Sequence, residues 1–112
     1  MLYDQTLSRV ETYFDKTASK TWEQLTSDAP VSKIRQTVRI GRERMRNKLL
    51  GQLPNDLSEA RILDAGCGTG QLTTELVKRG ASVVATDISN SLIQIAKNRT
   101  PKDYHRKINF HV

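Results

Sequence analysis

The residues of this sequence best suited to chemistry lie in one short run, Asp64-Ala65-Gly66-Cys67-Gly68-Thr69-Gly70, and at Asp87, 17 residues beyond Gly70. Glycines at alternating positions permit a tight turn and let a ligand lie against bare backbone. A helix following such a turn offers its unpaired N-terminal amides and the positive end of its dipole to a negative group. The dinucleotide fingerprint, G-x-G-x-x-G, seats a pyrophosphate in this way. Here the third glycine comes one residue early, as G-x-G-x-G, and Gln71 stands where a dinucleotide loop has glycine. Asp64 would repel a pyrophosphate two residues away, whereas it suits a cationic amino group. Asp87 stands where a carboxylate at a strand end can accept both hydroxyls of a ribose. The plainer alternatives are a strand-to-helix turn with no ligand, and an Asp87 that only caps the next helix.

The surrounding sequence supplies the elements that such a loop needs. Arg61 to Ala65 is a short apolar run ending in glycines, as expected of a buried parallel strand. Gln71 to Arg79 has the period of a helix with Leu72, Leu76 and Val77 inward, and Gly80 is its stop. Ser82 to Asp87 is a second strand, Ser89 or Asn90 caps a further helix carrying Leu92, Ile93, Ile95 and Ala96, and Lys107 to Val112 is a third strand. The order strand–helix–strand–helix–strand is the first half of a doubly wound sheet. Before Pro54 the pattern is helical instead. Tyr3, Leu7, Val10 and Phe14 mark one helix face, a short helix is expected around Trp22 to Leu25, and Pro30 breaks the chain. From Val31 a long helix carries Val31, Ile34, Val38, Met45 and Leu49 as a narrow apolar stripe, ending near Gly51. Two parts follow: a helical lid or substrate region over residues 1–53, and the first half of a Rossmann-like α/β domain over 54–112.

Strand, acid, G-x-G-x-G, helix, second strand and terminal acid in register resemble the S-adenosylmethionine-dependent class I methyltransferases rather than the NAD-binding proteins. That resemblance implies S-adenosyl-L-methionine as cofactor, with Asp64, Gly66, Cys67, Gly68, Thr69, Gly70, Asp87 and Ile88 around it. A narrower likeness lies in Tyr13-Phe14-Asp15-Lys16-Thr17-Ala18, Trp22, and Pro30 through Arg42 (Pro-Val-Ser-Lys-Ile-Arg-Gln-Thr-Val-Arg-Ile-Gly-Arg). With the glycine loop, these resemble the magnesium protoporphyrin IX O-methyltransferases of the bacteriochlorophyll pathway over nearly all 112 residues. The resemblance implies methyl transfer to a propionate carboxylate of magnesium protoporphyrin IX, giving the monomethyl ester in (bacterio)chlorophyll biosynthesis. It further implies other enzymes of that pathway as partners, and no nucleic acid. Members are about twice this long, so the chain is expected to be an N-terminal portion, inactive alone, whose adenine-contacting acid and most porphyrin contacts lie elsewhere.

Composition fits this class. The chain is 37% hydrophobic and 27% charged, as in soluble globular proteins. No apolar run approaches the ~20 residues needed to cross a bilayer. Met1-Leu2-Tyr3-Asp4 lacks the features of a secretory signal, so a cytoplasmic location is expected, free or at a membrane surface. Between Val31 and Leu50 stand seven basic residues and one acid, which accounts for the whole net charge of +6. Arg35, Arg39, Arg42 and Arg46 recur at i, i+4, i+7 and i+11 beside the apolar stripe. They form either a rail for carboxylates of substrate or cofactor, or a solvated flank with packed aliphatic stems. The single cysteine, Cys67, is either a thiol activated beside a helix start or a small side chain filling tight space. Trp22 and Phe14 are core residues or stack on a macrocycle. His105 and His111 have no partner at metal-ligand spacing, so no metal site is assigned.

A carboxylate acceptor is already nucleophilic at neutral pH, so no catalytic base is expected and none is named. Two rivals remain: a methyltransferase for another small molecule or for RNA, and a fragment that only binds ligand or partners.

Overall fold

Several helix ends in this chain are closed by identifiable groups. The computed structural model describes residues 2–12, 15, 19–28 and 30–112, and Phe14, expected on the first helix, lies outside them. Three helices come first: α1 (Leu2–Thr12), α2 (Ser19–Leu25) and α3 (Lys33–Gly51). Then follow β1 (Arg61–Ala65), α4 (Gln71–Lys78), β2 (Ser82–Thr86), α5 (Asn90–Arg99), a 3-10 turn (Lys102–Lys107) and β3 (Ile108–His111).

After Pro30, Ser32 starts α3 by accepting the Arg35 amide on its hydroxyl at 3.3 Å. The far end of α3 is closed from another element, where the Arg79 guanidinium donates to the carbonyls of Leu50, Leu53 and Pro54 at 2.7, 3.3 and 3.3 Å. Helix α4 stops at Gly80, whose φ of +100 closes a Schellman turn: Gly80 donates to the Val77 carbonyl and Ala81 to that of Leu76. Ser89 caps α5 by accepting the Leu92 amide at 3.2 Å. Asp15, 74 residues earlier, adds a second cap by accepting the Ser91 amide at 2.7 Å and the Ser89 hydroxyl at 3.1 Å.

The three strands lie in the order β1-β2-β3, all parallel, with Ile62 beside Val83 and Val83 beside Ile108. Both crossover helices, α4 and α5, pack on one face, as the right-handed rule for parallel strands requires. There Leu76, Val77 and Ile93 pack with Val83, Ala85 and Ile108, joined by Leu50 and Leu57 from the chain before β1. Strand alternation sends Leu63 and Val84 to the opposite face, where Leu63 is 64% exposed. No described element covers that side of the sheet. The apolar stripe of α3 also faces outward: Ile34 and Met45 are 79% and 76% exposed, and the buried residue of this helix is Leu50. The reason is contact: α3 meets the α/β half through its C-terminal end, which spacing within the helix does not reveal.

Gly80→Ala tests this architecture. A Cβ there would lie 3.1 Å from the Ser58 Cα, at a left-handed φ. The variant is expected to lose at least ~1–2 kcal/mol, the cost of a left-handed L-residue, read as a lowered denaturant midpoint with unchanged m-value.

Candidate functional site

The loop between β1 and α4 turns left-handed three times, with φ of +75, +55 and +86 at Gly66, Gly68 and Gly70. Its shape is fixed from β2. The Thr86 carbonyl accepts the amides of both Gly66 and Cys67 at 2.8 Å, and Asp87 Oδ2 accepts that of Gly68 at 2.9 Å. Asp87 Oδ1 accepts the Ser89 amide at 3.0 Å, while the Asp87 amide donates to the His111 carbonyl at 3.1 Å. The ends of all three strands are thereby tied together. Asp87 lies just past β2 and braces two turns, yet an ionised carboxylate has about four acceptor positions, so capacity for a ligand remains. Asp64 is buried at the end of β1, and its Oδ2 accepts the Thr73 hydroxyl at 2.6 Å.

Each glycine of the loop answers a different constraint. A Cβ on Gly66 would meet nothing within 4 Å and would project into open cleft. On Gly68 it would lie 3.1 Å from Trp22 Nε1, and on Gly70 3.1 Å from the Ala96 Cβ of α5. Gly66 thus keeps a cradle clear, Gly68 admits the N-terminal region over the loop, and Gly70 lets α4 and α5 approach.

Two clefts meet at Gly66. One, of about 610 Å³, is lined by Trp22, Gly68, Asp87, Ile88 and Leu92. The other, of about 470 Å³, is lined by Asp64, Arg46, Leu49, Gln71 and Leu72. Arg42 borders both, with its guanidinium carbon 4.4 Å from the centre of the Trp22 ring. Trp22 is therefore a wall of the site rather than a core residue.

The four arginines of the expected rail separate. Arg42 and Arg46 border the second cleft. Arg39 turns to α2, donating from Nε to the Leu25 carbonyl and from Nη2 to that of Gln24, both at 2.8 Å. Arg35 is exposed and lines neither cleft. Helix α2 is held from two more sides. Gln71 Nε2 donates to the Thr26 carbonyl at 3.0 Å, and Arg99 donates to the carbonyls of Thr26 and Glu23 at 3.2 and 3.1 Å. The Arg42 guanidinium is lowered from its ordinary pKa by partial burial and then by the charge of Arg46, and it remains a cation.

Cys67 and Thr69 lie within the loop, both buried. Burial first, then the charges of Asp64 and Asp87, push the Cys67 thiol up to about 12. It is a packed side chain whose thiolate form is disfavoured. The Thr69 hydroxyl has no hydrogen-bond partner among the described residues. His105 bonds the Thr100 carbonyl at 3.0 Å and meets the Phe110 ring edge-on. Among the described residues no three His, Cys, Asp or Glu side chains come together as a metal site.

Residues 62–112 match the family described as methyltransferase domain. The parallel sheet, the glycine loop and the two acids at its strand ends have the fold of the class I methyltransferases. Over 111 residues, 98% of its length, the chain is 55% identical to the magnesium-protoporphyrin O-methyltransferase of Rhodobacter capsulatus, covering 50% of that protein. It is 30% identical over 100 residues to the magnesium-protoporphyrin O-methyltransferase of Synechocystis, covering 88% of this chain and 43% of that one. The crystal structure of magnesium protoporphyrin IX methyltransferase from Synechocystis PCC 6803 with bound SAH matches at a TM-score of 0.83 and 25% identity, over 94% of this chain and 50% of that one. The chain spans about half the length of the curated relatives it matches.

The buried Cys67 provides a test at this site. Its folded pKa of about 12 stands above the ordinary value of 9.0, so the protonated thiol stabilises the fold below pH 9 and that contribution is lost as pH rises toward 12. At pH 8, iodoacetamide should label native protein at least about tenfold more slowly than urea-unfolded protein, because the thiolate is the nucleophile. Equal rates would mean an open thiol.

Proposed function

We propose that this chain is the cofactor-binding front half of a methyltransferase that uses S-adenosyl-L-methionine to esterify a propionate carboxylate of magnesium protoporphyrin IX. One observation carries the reading: three left-handed glycines lie between two carboxylates, Asp64 and Asp87, and the clefts on either side of Gly66 each contain one of them. The cradle fits such a cofactor. A Cβ at Gly66 would fill it, and the donor set suits a molecule with ribose hydroxyls at one end and an ammonium group at the other. The 55% identity across 98% of the chain supports the choice of acceptor.

In this reading Asp87 accepts the ribose hydroxyls with the acceptor positions that Gly68 and Ser89 leave, and Ile88 and Trp22 flank the nucleoside. Gly66, Cys67, Gly68, Thr69 and Gly70 supply backbone surface. The bound cofactor supplies the electrophilic methyl group on its sulfonium. The propionate acceptor is ionised at neutral pH, so the protein holds no proton for it and acts by alignment. Alignment of reacting groups can contribute ~7–11 kcal/mol. Residues 1–53 act as the lid and substrate side, and 54–112 as the cofactor side. No described helix is long and apolar enough to cross a membrane, and the proposed setting is the cytoplasm or a membrane surface.

Two substitutions in the complete protein test this. Asp87→Ala should weaken S-adenosylmethionine and S-adenosylhomocysteine alike, by ~1–3 kcal/mol, because the lost bonds go to hydroxyls common to both. Calorimetry that finds micromolar NADH binding and no saturation with S-adenosylmethionine would overturn the reading. Gly68→Val places a branched side chain at a left-handed φ against Trp22. It should abolish cofactor binding while circular dichroism shows nearly unchanged helix content, and unchanged affinity would remove the loop from the site.

A further inference from the structure

The last four carbonyls of α2 belong to Trp22, Glu23, Gln24 and Leu25, the groups that a helix end leaves without partners of its own. Two arginines from different elements divide them. Arg39 of α3 takes Gln24 and Leu25. Arg99, the last residue of α5, takes the other side. Its Nη2 donates to the Glu23 carbonyl at 3.1 Å, and its Nη1 donates to the carbonyl and the hydroxyl of Thr26 at 3.2 and 2.9 Å. That hydroxyl in turn donates to the Trp22 carbonyl at 2.8 Å. A hydroxyl that accepts from a cation is polarised, and the bond it donates is strengthened. A hydrogen-bond chain thus runs from the end of α5 through Thr26 to the backbone of Trp22.

We propose that Arg99 is a positioning residue for the cofactor cleft: through the Thr26 hydroxyl it sets where Trp22 stands over Gly68, and so how tightly the nucleoside is held. The proposal rests on the reading of that cleft as the seat of S-adenosylmethionine and adds a residue outside it that controls it. Arg99 and Thr26 line neither of the two clefts that meet at Gly66, so their effect on a ligand there is indirect. Trp22 lines one of them with Asp87 and Ile88. Its ring meets Gly68 and the Arg42 guanidinium, contacts with little directional constraint, so the ring goes where its backbone is held. The other anchors of this region act differently. Arg39 holds the carbonyls beyond Trp22, and Asp15 fastens the chain before Trp22 to the opposite end of α5, at Ser89 and Ser91. Gln71 shares the Thr26 carbonyl at 3.0 Å but itself lines a cleft, so its loss would mix direct and indirect effects.

The test combines calorimetry with S-adenosylhomocysteine and Trp22 emission, both on the complete protein, the emission taken as the difference from Trp22→Phe. Arg99→Met keeps an aliphatic stem and removes the donors. In ligand-free protein it should move Trp22 emission to the red, as the ring leaves the loop for water. Losing the whole wall in Trp22→Ala should weaken S-adenosylhomocysteine about tenfold, the size of one aromatic contact with a base, and Arg99→Met should reproduce about fivefold of that. The two changes should not add: in the Trp22→Ala background, Arg99→Met should alter the affinity by less than about twofold. A loss in that background as large as in native protein would overturn the proposal, because Arg99 would then act on the fold at large. Unchanged affinity in Arg99→Met would overturn it too, whatever the emission. Thr26→Val, which removes the hydroxyl and keeps the shape, should show both effects, and it answers the question if Arg99→Met melts early. Should the native protein not bind S-adenosylhomocysteine, the cofactor reading itself falls, and the emission of Arg99→Met decides by itself whether Arg99 places Trp22.

Discussion

The Thr86 carbonyl and the Asp87 carboxylate hold the amides of Gly66, Cys67 and Gly68, and this pin from β2 to the end of β1 makes the rest of the site possible. A loop with three left-handed glycines has great conformational freedom when unfolded, and three short bonds from one neighbouring strand remove it. Once pinned, the loop points its bare backbone outward at Gly66 and sets the starting direction of α4. Asp87 has two tasks at once. It fixes the loop, and it faces the cleft that the loop creates.

A second constraint places the N-terminal region. Helix α2 has only seven residues, too few to be stable alone. Its exposed C-terminal carbonyls receive Arg39 from α3, Gln71 from the start of α4 and Arg99 from the end of α5. Cationic donors at a helix C-terminus also oppose the negative end of its dipole. At the other side of the same docking, Asp15 caps α5. Trp22 is carried over Gly68 as a result, and Arg42 packs on Trp22. Because Gln71 directly follows the last glycine of the loop, the end of α2 and the glycine loop are joined by one side chain.

The surfaces left open follow from the same topology. Parallel strands in a doubly wound sheet are buried on both faces. Here α4 and α5 cover one face, and Leu63 and Val84 stay open on the other. The outward stripe of α3, with Ile34 and Met45, is open likewise. The chain covers 50% of the Rhodobacter capsulatus relative it resembles.

Sequence alone determined the elements and the loop, because these depend on local rules. Strand and helix periods, the Ser32 and Ser89 caps, the Gly80 stop and the G-x-G-x-G spacing act over a few residues and are legible in order along the chain. Boundaries shifted by a residue or two: α4 closes at Lys78 and β2 at Thr86, leaving Asp87 just outside its strand. What the tertiary structure alone decided is which of several similar side chains does what. Four arginines with one helical spacing became a brace at Arg39, a pair at the cleft in Arg42 and Arg46, and a solvated residue at Arg35. Trp22 became a wall of the cleft, and Cys67 became a buried thiol whose ionisation is disfavoured by burial and by two nearby acids. The outcome at Arg39 depends on Leu25, 14 residues distant, and periodicity within one helix carries no information about such a partner.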